Sequence, residues 1–309
     1  METRYLRTLV VTIEAGSFSR AAEILHLTQS AISQRVKTLE ERYGYQLFDR
    51  SGSSLALTEP GRLVMEKAKT ILKVEQELLE GLKSFSGLKQ LSLCCTPTFG
   101  SAYLPSVLDR FMRQNTDIDD LKFLFHQPLQ ALKGLKQGEF DLAVLEHWDG
   151  LDFSDFQTVD LPLDELVVVA APRLNLPDEE VEVDELVELL LYARRDGCSS
   201  KELLRKNLDT QGKQIGDFSR VVITDDLRWT LDNVREGNGI AFMSRSLAQA
   251  ELTTGALQAL HVKGFDHFRQ RTVIIHPQHA EDPLIQSFLQ SVHAIFEKSP
   301  PQLTVVSGG

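Results

Sequence analysis

The sequence predicts an α+β multidomain fold: an N-terminal all-α winged helix-turn-helix, a long linker helix, and a C-terminal two-lobed α/β domain. Three patterns predict it. Short amphipathic stripes, each bounded by a cap residue or a glycine, fill residues 1–44. A seam of apolar residues with alternating spacings of four and three begins after Thr58. From Gln90 onward short apolar runs alternate with helical stretches, the rhythm of βα units. At 309 residues the chain exceeds the usual ~100–200 per domain, so more than one core is expected.

Leu6, Leu9, Val10 and Ile13 recur at i, i+3, i+4 and i+7, a helical stripe that stops at Gly16. Ser17 can cap a second helix through Phe18, Ala21, Ala22 and Leu25. After His26 and Leu27, Thr28 can cap a third that runs to Gly44. In that third helix Ile32, Val36, Leu39 and Tyr43 share one face, which leaves Gln29, Ser30, Ser33, Gln34 and Lys37 to solvent. Apolar stretches at 46–48 and 55–57 flank Ser51-Gly52-Ser53-Ser54 and read as a small hairpin, a wing. Thr58 then caps a longer helix that tolerates Pro60 in its first turn. Val64, Ala68, Ile71, Leu78, Leu82 and Phe85 form its seam, with Glu75 the one charged intruder. Such a seam suits a helix pair, and packing on its own domain is the other reading.

Beyond Gln90 the apolar or helical segments are 91–95, 104–112, 121–125, 129–135, 142–145, 166–171, 186–192, 221–223, 227–234 and 240–243. They predict a mostly parallel sheet divided between two lobes. The expected boundaries are 1–58 for the helix-turn-helix, 59–87 for the linker, 88–298 for the two-lobed domain and 299–309 for a loose tail ending in Gly308-Gly309.

Composition narrows the function classes. With 42% hydrophobic and 25% charged residues and no apolar run near the ~18 residues of a membrane span, no membrane partner is expected. Glu2, Arg4, Arg7 and Glu14 interrupt any secretory core, so a cytoplasmic location is expected. Three cysteines, Cys94 and Cys95 adjacent, give neither a disulfide framework nor zinc spacing. His276-x-x-His279 is too weak a pattern for a metal, and no nucleophile elbow or phosphate loop marks an enzyme, so neither metal, cofactor nor catalytic residue is expected. The net charge of −11 is unevenly spread: residues 1–83 hold 12 Lys+Arg against 11 Asp+Glu, so the acid lies beyond them. That leaves the helix-turn-helix able to approach phosphates, with modest non-specific affinity.

The run Ala15-Gly16-Ser17-Phe18-Ser19-Arg20-Ala21-Ala22, then Leu25, Thr28-Gln29-Ser30-Ala31-Ile32-Ser33, Leu39-Glu40, Gly44, Leu47-Phe48-Asp49-Arg50, Leu57-Thr58 and Gly61 resembles the signature of LysR-type transcriptional regulators. Gly138-Glu139-Phe140-Asp141-Leu142-Ala143 and Val234-Arg235-Glu236-Gly237-Asn238-Gly239-Ile240-Ala241 are similar to that family's effector domain, which itself resembles periplasmic binding proteins. The resemblance implies sequence-specific binding to double-stranded promoter DNA with two-fold symmetric half-sites and modulation by a small-molecule effector, anionic or an amino acid. It further implies a homodimer that can extend to a dimer of dimers, with RNA polymerase as a further partner. Two departures stand out: Ser30 where many members have proline, and a wing without a basic residue at 51–54.

A recognition helix presents short polar side chains near its N-terminal end to the major groove. Gln29, Ser30, Ser33 and Gln34 supply them, Ser17, Ser19 and Thr28 lie beside them, Lys37 and Arg50 offer charge to phosphates, and Ser53 lies in the wing. A solvated helix face would look similar on this stretch alone. In the second half, residues 96–101 and 194–200 lie between strand and helix, where N–H groups and hydroxyls can meet an anion. The resemblance has these segments face each other, with Thr96, Thr98, Phe99, Ser101, Arg195 and Ser199 at the effector and Gln127, Trp148 and Thr224 as further lining. Ordinary helix capping is the alternative for each. Peroxide-sensing relatives carry a thiol where Cys198 lies, but no second cysteine follows to resolve it, so redox sensing is not expected.

Overall fold

Capping chemistry sets the ends of the first three helices, α1 (Thr3–Ala15), α2 (Phe18–Ile24) and α3 (Gln29–Tyr43). Ser17 Oγ accepts from Arg20 N–H and Thr28 Oγ1 from Ala31 N–H. Gly44 closes α3 at φ 74°, the left-handed conformation that glycine adopts without steric cost. The computed structural model describes residues 3–49, 55–85, 89–148, 150–177 and 180–297. Contacts divide the chain into two units, Met1–Leu88 and Lys89–Gly309.

In the first unit, β1 (Phe48–Asp49) pairs antiparallel with β2 (Ala56–Leu57), and α4 (Glu59–Phe85) follows. The wing tip, with Arg50 and Ser53, lies outside the described residues, as does the 299–309 tail. Leu6, Leu9, Val36, Leu39, Leu47, Phe48, Met65 and Ala68 form the core. The α4 seam divides. Ala68 is buried there and Val64 packs beside it, whereas Val74, Leu78 and Leu82 are more than half exposed and Ile71 is 36% exposed.

The second unit starts with β3 (Gln90–Cys95), α5 (Pro97–Ala102), α6 (Leu104–Gln114), β4 (Asp120–Phe125), α7 (Pro128–Lys136), β5 (Leu142–His147) and β6 (Gln157–Ala170). It continues through β7 (Glu180–Val181), α8 (Val183–Val187), β8 (Leu190–Ala193), α9 (Ser199–Thr210), β9 (Arg220–Ile223) and α10 (Leu227–Arg235). Last come β10 (Ile240–Ser244), α11 (Gln249–Thr253), β11 (Gln258–Val262), β12 (Phe268–Ile275) and α12 (Pro283–Glu297).

The sheet order is β4-β3-β5-β12-β6-β10-β8-β9. Each end is a parallel triplet whose first strand in sequence, β3 or β8, lies in the middle. Most neighbouring pairs in this order are parallel, as expected, but β6 and β12 run antiparallel to each other and to their outer neighbours, β10 and β5. Only the apolar end of β6 stands out in the sequence, because its first half is broken by Asp160, Pro162 and Asp164. That half pairs with β12, and residues 166–170 pair with β10 and β11. The lobes therefore meet where two antiparallel strands pass between them. Apolar clusters cover both faces of each lobe, as a doubly wound sheet requires.

Candidate functional site

The surface of α3 follows from its stripe. Ile32, Val36 and Leu39 turn inward, and Gln29, Ser30, Ser33, Gln34 and Lys37 are all exposed. Ser17 and Thr28 spend their hydroxyls on capping, Thr28 Oγ1 also lies 3.0 Å from Ser30 Oγ, and exposed Ser19 donates weakly to Gln29 at 3.4 Å. Lys37 pairs with Glu41 at 3.6 Å, an exposed contact that phosphate can displace at little cost. The helix offers unspent donors and acceptors along one face, the requirement for reading base edges.

In the second unit the parallel triplets decide where a ligand fits. Residues 96–101 follow β3, Gln127 follows β4 and Trp148 follows β5; residues 194–200 follow β8, Thr224 follows β9 and Ser244 ends β10. All leave the carboxyl ends of parallel strands, and the loops after β3 and β8 lie where the strand order reverses, the site at which open α/β sheets bind ligands. A small cavity there, lined by Thr98, Tyr192, Arg194, Ser200, Thr230 and Ser244, has room for roughly one water molecule.

The structure joins two of the expected effector residues through a third that sequence reading missed. Arg269, on β12, donates from Nη1 to Ser199 Oγ at 2.5 Å and from Nη2 to Thr98 Oγ1 at 3.3 Å. Its Nε and Nη2 lie 2.8 and 2.7 Å from Asp164 Oδ2. Arg271 meets Asp164 Oδ1 at 2.6 Å and Glu146 Oε1 at 3.3 Å, with Tyr103 and Phe296 rings over its guanidinium. Ser244 donates to Asp164 at 2.6 Å, and Thr96 donates to Glu146. All four ionic groups are buried, and two cations balance two carboxylates. Burial holds the Glu146 carboxyl above the ordinary carboxylate range, against the pull of Arg269 and Arg271. The sequence signal for this cluster was charge inside apolar strands: Glu146 in β5, Asp164 in β6, and Arg269 and Arg271 two apart in β12.

The other expected effector residues divide. Gln127 is buried at the N-cap of α7 and its Nε2 meets no partner among the described residues, an unspent donor. Thr96 is buried on Glu146, Ser101 is exposed, and Thr224 Oγ1 accepts from Asp226 N–H at 3.2 Å. Trp148 is half-buried, its carbonyl accepting from His147 Nδ1. Phe99 is corrected: its ring is fully buried in the first lobe's core, 5.8 Å from Tyr103, because the third helical position of α5 points inward. Arg195 is half-exposed and paired with Asp225 at 2.8 Å, and Arg194, its side chain 10% exposed, meets the same carboxylate at 3.4 Å and lines the cavity.

Cys94 and Cys95 fill β3, and burial pushes the Cys94 thiol up to about 12 and Cys95 higher still. Cys198 differs. Burial opposes its ionisation, but Arg194, a hydrogen bond with Ser200 at 3.3 Å and Arg269 together hold its thiol below the ordinary value.

Family comparison agrees with both halves of this description. Residues 3–62 match the model for bacterial regulatory helix-turn-helix proteins of the lysR family, and residues 87–297 match the LysR substrate binding domain. A probable RuBisCO transcriptional regulator of Synechocystis is 28% identical, covering 96% of this chain and 87% of its own length. The transcriptional regulator CfxR of Cupriavidus necator is 31% identical over 84% of this chain and 81% of its own. Full-length LysG of Corynebacterium glutamicum, solved with the effector arginine bound, superposes with a TM-score of 0.54 at 20% identity over 97% of this chain and all of its own.

Proposed function

This chain belongs to the LysR family of transcriptional regulators, and from that premise we propose that a small anionic effector binds between its lobes and tunes how a homo-oligomer holds a two-fold symmetric operator. One observation carries the effector site: Thr98 from one lobe and Ser199 from the other share the buried cation Arg269 at the carboxyl ends of the two central strands. An anion entering there meets a guanidinium, two hydroxyls, the N–H groups that open α9 and the free donor of Gln127. It regulates only to the extent that it prefers one arrangement of the lobes over another.

The exposed half of the α4 seam supports pairing between chains, since Ile71, Leu78 and Leu82 otherwise leave an apolar stripe in water. Gln29, Ser30, Ser33 and Gln34 read base edges, and Lys37 grips phosphate. A regulator works where promoters are transcribed, so the cytoplasm is its place of action and RNA polymerase a further partner.

Calorimetry tests the site. The full chain is screened against carboxylates, amino acids and inorganic anions, and the tightest binder is titrated into Thr98→Ala and Ser199→Ala. Losing one hydrogen bond to a charged ligand should weaken each variant about tenfold, with operator binding in the absence of the anion unchanged. Wild-type affinity in both variants would place the effector elsewhere.

A further inference from the structure

We propose that the backbone of Leu47 is a three-way joint which locks the recognition helix, the wing and the linker helix into one rigid body, with Glu40 and Gly61 as its positioning residues. Leu47 is fully buried between α3 and β1. From the α3 side, Glu40 Oε1 accepts the Leu47 N–H at 2.8 Å and the Phe48 N–H at 3.4 Å. Glu40 is itself only 8% exposed, so a carboxylate leaves water to make these bonds. From the α4 side, Thr58 N–H donates to the Leu47 carbonyl at 3.0 Å, and Thr58 Oγ1 donates to the Gln46 carbonyl at 2.7 Å. Thr58 Oγ1 then accepts from Gly61 N–H at 3.0 Å, so one residue caps α4 and ties it to the chain entering the wing.

Gly61 is what allows the approach. A Cβ at this position would collide with the Leu47 carbonyl, a backbone atom that cannot swing aside. Apolar packing of Val36 and Leu39 with Met65 and Ala68 also holds α3 and α4 together, but burial is non-directional and tolerates sliding. Hydrogen bonds to the N–H and the C=O of one residue fix direction and register. Any rotation of the linker helix is thereby delivered to the helix that reads DNA.

The experiment uses the full chain with spin labels at two exposed sites, Lys37→Cys on α3 and Lys67→Cys on α4, diluted with unlabelled chain. The native thiols are buried and do not compete. Pulsed dipolar spectroscopy should give a narrow distance distribution that broadens in Glu40→Ala and in Gly61→Ala, and stays narrow in Glu40→Gln, which keeps the acceptor. On a duplex selected from a random pool by the unlabelled wild type, the unlabelled Ala variants should bind about tenfold more weakly and Glu40→Gln within about threefold. A narrow distribution in either Ala variant overturns the joint, as does broadening without loss of affinity, or Glu40→Gln behaving like Glu40→Ala. If Glu40→Ala loses the helical fold of its unit, Gly61→Ala decides by the same two readings.

Discussion

Replacing Arg269 by methionine removes a cation whose side chain is 2% exposed and which rests on an equally buried Asp164. The cluster then holds Arg271 against two carboxylates, a net negative charge out of water. Breaking one member of a buried ion pair costs about 3–5 kcal/mol. Asp164 keeps Arg271 and Ser244, each at 2.6 Å, so the lower end applies, about 3 kcal/mol. For a unit of this size each kcal/mol moves the melting temperature by ~2–4 °C, which gives about 6–12 °C. The assay is urea and thermal unfolding of the full chain, following the transition of the effector unit in wild type, Arg269→Met, Asp164→Asn and the double variant. Adding Asp164→Asn should recover part of the loss, with a coupling above about 1 kcal/mol. A cost for Arg269→Met below about 1 kcal/mol, or strict additivity, would refute the reasoning that the two lobes share one buried charge cluster.

Two further outcomes follow from other contacts. His267 lies where the crossover strands change lobes; Nδ1 donates to the Leu166 carbonyl at 2.6 Å and Nε2 accepts the Val262 N–H at 3.0 Å, a neutral ring whose burial holds it below the ordinary 6.5. The unfolded state then binds the extra proton first, so stability is level above about pH 6.5 and falls as the pH drops toward the lowered native value; His267→Gln should remove that share of the slope, and an unchanged slope would count against it. Ile71→Asp with Leu78→Asp, on the exposed half of α4, should split the oligomer in light scattering and lower operator affinity, and an intact oligomer with unaltered affinity would argue against helix pairing.

What the sequence made legible follows from the range of the interactions involved. Ser17, Thr28 and Gly44 act within four residues of themselves, so the helix-turn-helix ends could be read directly. The parallel triplets were legible because each strand carries a short apolar run in sequence, even β4, whose Phe123, Leu124 and Phe125 are exposed. Strand β12 was not, since Arg269 and Arg271 interrupt it, and the partner that makes those charges tolerable, Asp164, lies 105 and 107 residues away. Loop position was readable for the effector residues, but facing was not. Arg194 and Arg195 are neighbours that both pair with Asp225, yet only Arg194 is nearly buried and lines the cavity, and Phe99 shares a six-residue helix with Thr98 yet turns into the core.

Hydrogen exchange of the full chain, with and without the tightest anion from the calorimetric screen, tests the central claim most directly. Binding between the lobes should slow exchange at the amides of residues 98–99, at the first turn of α7, and at residues 199–201, because the first N–H groups of α5, α7 and α9 have no acceptor within their own helix. Slowed exchange confined to one lobe, or found only at α12 and β11 while both loops exchange as before, would contradict it.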